Sequence, residues 1–242
     1  MQGVGVDFYV LLFLAELLGT VGGFGSSLFL VPIITYYFGF QQALLLTAGI
    51  HVISNIWKVV LFRHGLIKKL LLTFGVPSII LVIVGAFLSK YLPDAIAEGV
   101  LGIFLVSLST FLMVKPDYVV KPTTLNTVIG GGISGLAAGL LGTGGAIRGL
   151  SLAAYAIEKN AFIATSAFID LGVDASRFVV YVTQVPIPPH ITSIILPVLI
   201  ISLAGNFAGK WLVGKMELIT FRRVVLFFIL AVGVVSIAKA FF

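Results

Sequence analysis

The side chains able to do chemistry in this chain stand in two matched stripes. Thr47, His51, Asn55 and Lys58 recur at spacings of four, four and three, and Ser166, Asp170, Asp174, Arg177 and Tyr181 at four, four, three and four. Such spacings put each set on one face of a helix. Moved along by 119 residues, the first set lands on the second: Thr47 on Ser166, His51 on Asp170, Asn55 on Asp174 and Lys58 on Arg177. All lie in otherwise apolar sequence, where an ionisable group is costly and is read first as a transport or proton-relay residue. His51, Asp170, Asp174 and, nearer the N-terminus, Glu16 are candidates to carry a coupling proton or ion. The structural alternative is an ion pair, of Asp174 with Arg177 at i, i+3 or of Asp170 with Arg148. Lys58 has the further option of snorkelling to lipid headgroups.

Two glycine clusters form a second pattern, Gly22-Gly23-Phe24-Gly25-Ser26-Ser27 and Gly142-Thr143-Gly144-Gly145. Each interrupts a long apolar run. If Thr143 caps the helix that follows, Arg148 lies about one turn in, with its side chain leaning back toward the break. Ser26 or Ser27 is placed to cap the matching helix. Helix N-termini then aim free N–H groups and the positive end of the helix dipole at each break, which is a general anion site. The guanidinium of Arg148 adds a full charge and a planar fork suited to an oxyanion. The candidate substrate site is therefore Gly23, Gly25, Ser26, Ser27, Gly142, Thr143, Gly144, Gly145 and Arg148, with His51 and Asn55. The alternative for the glycines is close helix packing, the reading given to Gly135-x-x-x-Gly139 and Gly205-x-x-x-Gly209.

Those side chains need elements to hold them, and composition says which kind. Of 242 residues, 60% are hydrophobic and only 10% charged, against about 25% charged in soluble domains. Mean hydropathy is +1.19. A soluble enzyme and a disordered chain are both excluded, which leaves an all-α polytopic membrane protein. The net charge of +6 belongs in cytoplasmic loops and is no sign of nucleic-acid binding. The N-terminus, MQGVGVDFYV, has no Lys or Arg and does not read as a signal peptide. With no Cys, three His, and His64 and His190 in loops, no metal or cofactor site and no catalytic motif stands out.

The apolar segments run 8–38, 41–62, 70–89, 96–114, 125–157, 162–185, 191–213 and 218–241. The first and fifth exceed 30 residues, or roughly 45–50 Å as straight helices, too long for a ~30 Å hydrocarbon core. The block Gly85-Ala86-Phe87-Leu88-Ser89-Lys90-Tyr91-Leu92 returns 120 residues later as Gly205-Asn206-Phe207-Ala208-Gly209-Lys210-Trp211-Leu212. The chain is therefore read as two repeats, 1–118 and 119–242. With eight plain transmembrane helices the repeats are parallel, and loop Lys and Arg divide six against six. With segments one and five as glycine-broken re-entrant hairpins, each followed by three transmembrane helices, the repeats are inverted. Arg63, Lys68, Lys69, Lys115, Lys121, Lys159, Lys210, Lys215, Arg222 and Arg223 then share one face, against Lys90 and Lys239. The positive-inside rule favours the hairpins, with both termini outside.

The first break running on to Pro32, the second with its approach (Gly139-Leu140-Leu141-Gly142-Thr143-Gly144-Gly145), Ala164-Thr165-Ser166-Ala167 and the two Gly-x-Phe-x-x-Lys-x-Leu blocks resemble the TauE/SafE family of sulfite and organosulfonate exporters, over essentially the whole chain. The resemblance implies a carrier of small sulfur-containing anions in a prokaryotic plasma membrane, commonly exporting, with break residues lining the substrate site. The chain departs from the family pattern where Gly149 stands in the place matching Pro32, and in the acidic pair Asp170 and Asp174. The expectation is a secondary transporter of a small anion, sulfite or an organosulfonate, working by alternating access around a midplane site. Its partners are the anion, the bilayer and a coupling proton. The rivals are a proton- or sodium-linked carrier of another solute, a scaffold without substrate, and a metalloenzyme, which the His count disfavours.

Overall fold

The computed structural model of the chain describes residues 5–22, 25–61, 65–118, 120–153, 155, 159–187, 191–213 and 218–241. Gly23, Arg63, His64, His190 and Lys215 lie outside them. Ten helices and no strand occur among the described residues: α1 (Val6–Gly22), α2 (Ser27–Phe38), α3 (Phe40–Leu61), α4 (Lys68–Ser89), α5 (Asp94–Val114), α6 (Thr124–Leu141), α7 (Gly145–Ala153), α8 (Lys159–Gln184), α9 (Ile191–Val213) and α10 (Leu218–Phe241). Stretches of α3, α4, α5 and α6 are long and apolar enough to cross a membrane, the shortest at 18 residues, roughly 27 Å. One arm of the second glycine-broken segment, α6, is thus longer than a half-membrane helix. Within α4, Pro77 has no N–H to close the turn before it, and the helix widens to a π-type turn over Leu71–Gly75.

Both glycine-broken segments fold back on themselves. In the first, the Phe8 ring lies 5.1 Å from the Tyr37 ring and 6.0 Å from the Phe38 ring. The Tyr37 hydroxyl donates to the Asp7 carboxylate. The start of α1 therefore touches the end of α2, and the two run antiparallel. Gly25 makes the reversal with φ +84°, a conformation that costs glycine nothing and other residues a good deal. In the second segment, Thr127 and Tyr155 are joined through their hydroxyls. A Cβ on Gly130 would stand 2.7 Å from Ser151 Oγ. The turn is at Gly142, left-handed with φ 74°, whose N–H closes α6 onto the Ala138 carbonyl. This is a glycine helix stop. Neither segment is the single straight crossing that eight plain helices would require.

The helices form two compact units, and each unit takes helices from both halves of the chain. One comprises Met1–Ala43, Leu92–Tyr118 and Pro186–Phe242; the other comprises Leu44–Tyr91 and Val119–Val185. In the first, α1 packs on α9, where a Cβ on Gly205 would meet Glu16 Cβ at 2.7 Å and the Phe13 carbonyl at 2.9 Å. There too α5 packs on α10, where a Cβ on Gly102 would meet the Gly233 carbonyl at 2.8 Å. In the second, α6 packs on α4, where a Cβ on Gly85 would meet the Leu136 carbonyl at 2.7 Å. Gly85 and Gly205 are the matched glycines of the repeated block, so each unit repeats the same packing between a hairpin arm and a partner helix. Small residues at these crossings let backbones approach where lipid offers no hydrophobic drive. Gly135, Gly139, Gly205 and Gly209 all do this, as their x-x-x spacing indicated. In the second unit α4, α6, α7 and α8 close around Leu70, Phe74, Val82, Ala138, Leu152, Ile169 and Val173, and that core fixes α8, the helix bearing the second polar stripe.

Candidate functional site

The two stripes meet inside the second unit. On α3, Thr47, His51 and Asn55 are buried, and on α8 so are Asp174, Arg177 and Tyr181. Asn55 Nδ2 donates to Asp174 Oδ2 at 2.7 Å, so two residues matched by the 119-residue shift bond one another directly. Arg177 Nε donates to Asp174 Oδ1 at 2.8 Å, and Nη2 lies 2.8 Å from the same oxygen. The remaining Arg177 donors turn to the end of α6. Nη1 donates to the Gly142 carbonyl at 3.1 Å and approaches the Ala138 carbonyl at 3.4 Å. Tyr181 adds a donation to the Gly139 carbonyl at 2.6 Å. The last carbonyls of a helix lack internal partners and carry the negative end of its dipole. Arg177 and Tyr181 satisfy them, holding the arm that leads into the glycine break. His51 Nδ1 sits 3.5 Å from Arg177 Nη2, at the edge of this network.

Arg148 is built differently. It lies on α7, one turn past the break, as its position after Gly144-Gly145 indicated. The N-cap position belongs to Gly144 rather than to Thr143: the Gly144 carbonyl accepts the Arg148 N–H at 3.1 Å and Ser134 Oγ at 2.8 Å. The N–H groups of Gly145, Ala146 and Ile147 precede this first helical bond. Arg148 Nε donates to Ser166 Oγ at 2.8 Å, and Nη1 donates to Asp170 Oδ1. Neither Arg148 Nη2 nor Asp170 Oδ2 has a hydrogen-bond partner among the described residues. The side chains of Arg148 and Asp170 are 9% and 19% exposed, against 1% and 8% for Arg177 and Asp174. One pair is saturated; the other is more exposed and leaves one nitrogen and one oxygen without a partner among the described residues. With Lys58, the unit sets three cations against two carboxylates around the stripes. Thr47 Oγ1 is fully buried and has no hydrogen-bond partner among the described residues.

The first unit holds the other candidates. Glu16 is fully buried and accepts from Ser202 Oγ at 2.7 Å. One turn on, Thr20 Oγ1 donates to Asn206 Oδ1 at 2.5 Å. Ser202, Thr20 and Asn206 were not singled out from sequence, although Glu16/Thr20 and Ser202/Asn206 are both i, i+4 pairs. The positions 119 after Glu16 and Thr20 are Gly135 and Gly139, so the matching interface of the second unit has no polar group there. Ser26 occupies the N-cap of α2 and makes no side-chain cap hydrogen bond.

With this geometry in place, the chain can be set beside known proteins. The family described as Sulfite exporter TauE/SafE matches residues 8–236. A probable membrane transporter protein of Methanocaldococcus jannaschii is 28% identical over 167 residues, an alignment spanning 61% of this chain and 61% of that relative. No solved structure matches.

Proposed function

We propose, from the premise that this chain belongs to the sulfite exporter TauE/SafE family, that it is a multi-pass carrier of a small oxyanion, sulfite or an organosulfonate, and that Arg148 is the group that holds the anion. The observation behind this is the contrast between two buried arginine–carboxylate pairs in one unit. Arg177 engages all three nitrogens, with Asp174, His51 and the end of α6, as a structural arginine does. Arg148 leaves Nη2 without a partner among the described residues and stands on the first turns of α7, whose N-terminal N–H groups and dipole favour negative charge. Gly142, Thr143, Gly144 and Gly145 shape that turn. Gly25, Ser26 and Ser27 form a turn of the same kind within the other unit.

In this reading the loops bearing Lys68, Lys69, Lys115 and Lys121 face the cytoplasm of a prokaryotic cell, and both termini lie outside. Moving a monoanion out of a negative-inside cell is favourable by ~2.3 kcal/mol per 100 mV, so the potential alone can drive export. Asp170, Asp174, His51 and Glu16 are the groups placed to couple a proton where one is needed. The test is radiolabelled sulfite flux in proteoliposomes. Arg148→Ala, and Arg148→Lys with its point charge in place of the fork, abolish or sharply reduce flux at normal protein yield. Wild-type flux in Arg148→Ala removes Arg148 from the site.

A further inference from the structure

We infer that the site selects an anion that also offers a hydrogen-bond donor, and that Asp170 is the residue that makes the selection. This rests on the anion-carrier reading and names the substrate class of that same site. Arg–carboxylate pairs in closed surroundings are commonly bidentate, two parallel N–H···O bonds. Arg148 and Asp170 share a single bond, Nη1 to Oδ1, while Nε donates to Ser166 Oγ at 2.8 Å. Nη2 and Oδ2, which have no partner among the described residues, are a cationic donor and an anionic acceptor on one pair.

Among the described residues no second cation bonds Oδ2. Arg177 and Asp174 are spent on each other, Asn55 and α6. His51 and Lys58 approach from α3, where His51 meets Arg177. Beyond Lys69, α4 has no titratable side chain, and α6 has none at all. An oxyanion without a hydrogen to give would use Nη2 alone and bring its charge against the Asp170 carboxylate. An anion carrying an O–H or N–H group within reach of its oxyanion end uses both edges. The favoured class is therefore the protonated monoanion of sulfite over its dianion, and hydroxy-sulfonates over plain alkyl sulfonates.

The experiment compares two isosteric monoanions, 2-hydroxyethanesulfonate and propane-1-sulfonate, in equilibrium binding to the purified full chain by calorimetry. The hydroxyl-bearing ligand binds tighter by on the order of 10-fold or more, since a site built to accept a hydrogen bond rejects the analogue lacking it. In Asp170→Ala the ratio falls to about one. In Asp170→Asn, which keeps an acceptor oxygen without its charge, the ratio shrinks because propane-1-sulfonate binds tighter. Equal affinities in the unsubstituted protein, no binding of either ligand, or a ratio unmoved by both substitutions overturns the inference. Equal affinities that are both lost in Arg148→Met leave the anion site standing and remove only the role of Asp170. Affinities untouched by Arg148→Met remove the site itself.

Discussion

Substituting the two arginines separately by methionine, which keeps most of the volume and removes the charge, separates structural from functional pairing. Arg177→Met strips Asp174 Oδ1 of both its guanidinium contacts and leaves the Gly142 carbonyl at the end of α6 without its donor. Removing one partner of a buried pair costs about 3–5 kcal/mol, because the remaining charge is left uncompensated. Arg148→Met breaks one bond to Asp170 and one to Ser166, and Asp170 is the more exposed of the two carboxylates. A charged hydrogen bond lost in that setting costs about 1.5–3 kcal/mol. At roughly 2–4 °C per kcal/mol for a chain of this size, Arg177→Met lowers the midpoint by roughly 6–20 °C. Arg148→Met lowers it by roughly 3–12 °C on the same scale, the smaller of the two losses. Thermal unfolding of detergent-purified protein, followed by fluorescence-detected gel filtration, reads both. A drop for Arg148→Met equal to that for Arg177→Met would make both pairs structural and refute the distinction on which the site rests.

Two further outcomes follow from the helix arrangement. The chain has no Cys, so single cysteines report sidedness directly: Lys121→Cys and Lys159→Cys, one before and one after the second hairpin, label from the same side of the membrane, whereas a straight crossing would put them on opposite sides. Gly139→Val places a branched side chain against the α4 backbone, where even a Cβ would lie 2.6 Å from Ala86 N. Overpacking of about 1–3 kcal/mol or more lowers the yield of folded protein, while valine at the exposed Ser107 leaves it unchanged.

The sequence carried the hairpins because glycines interrupt apolar runs that are too long to cross once. It carried the stripes because helical spacing and duplication agree at Thr47/Ser166, His51/Asp170, Asn55/Asp174 and Lys58/Arg177. The direct bond from Asn55 to Asp174 was less legible. Duplication matches two positions without saying that they touch. Nor could spacing tell the sealed pair from the open one. Asp174 and Arg177 are i, i+3 on one helix, while Asp170 meets Arg148 from another element, and saturation depends on carbonyls at the end of α6 that have no signature in residue type. Thr143 as N-cap was reasonable by residue preference. Gly144 takes the position because the backbone there lies against Ser134, where a side chain on residue 144 would have no room. The Glu16–Ser202 bond was hidden for a similar reason: its partner lies 186 residues away in a helix read only for its glycines.

Saturation binding of radiolabelled sulfite to the purified protein, compared with Arg148→Met, bears most directly on an anion held at the open edge of Arg148. One saturable site per chain that vanishes in Arg148→Met, while the substituted protein still elutes as a folded species, is the expected result. Equal binding by the two proteins would contradict it.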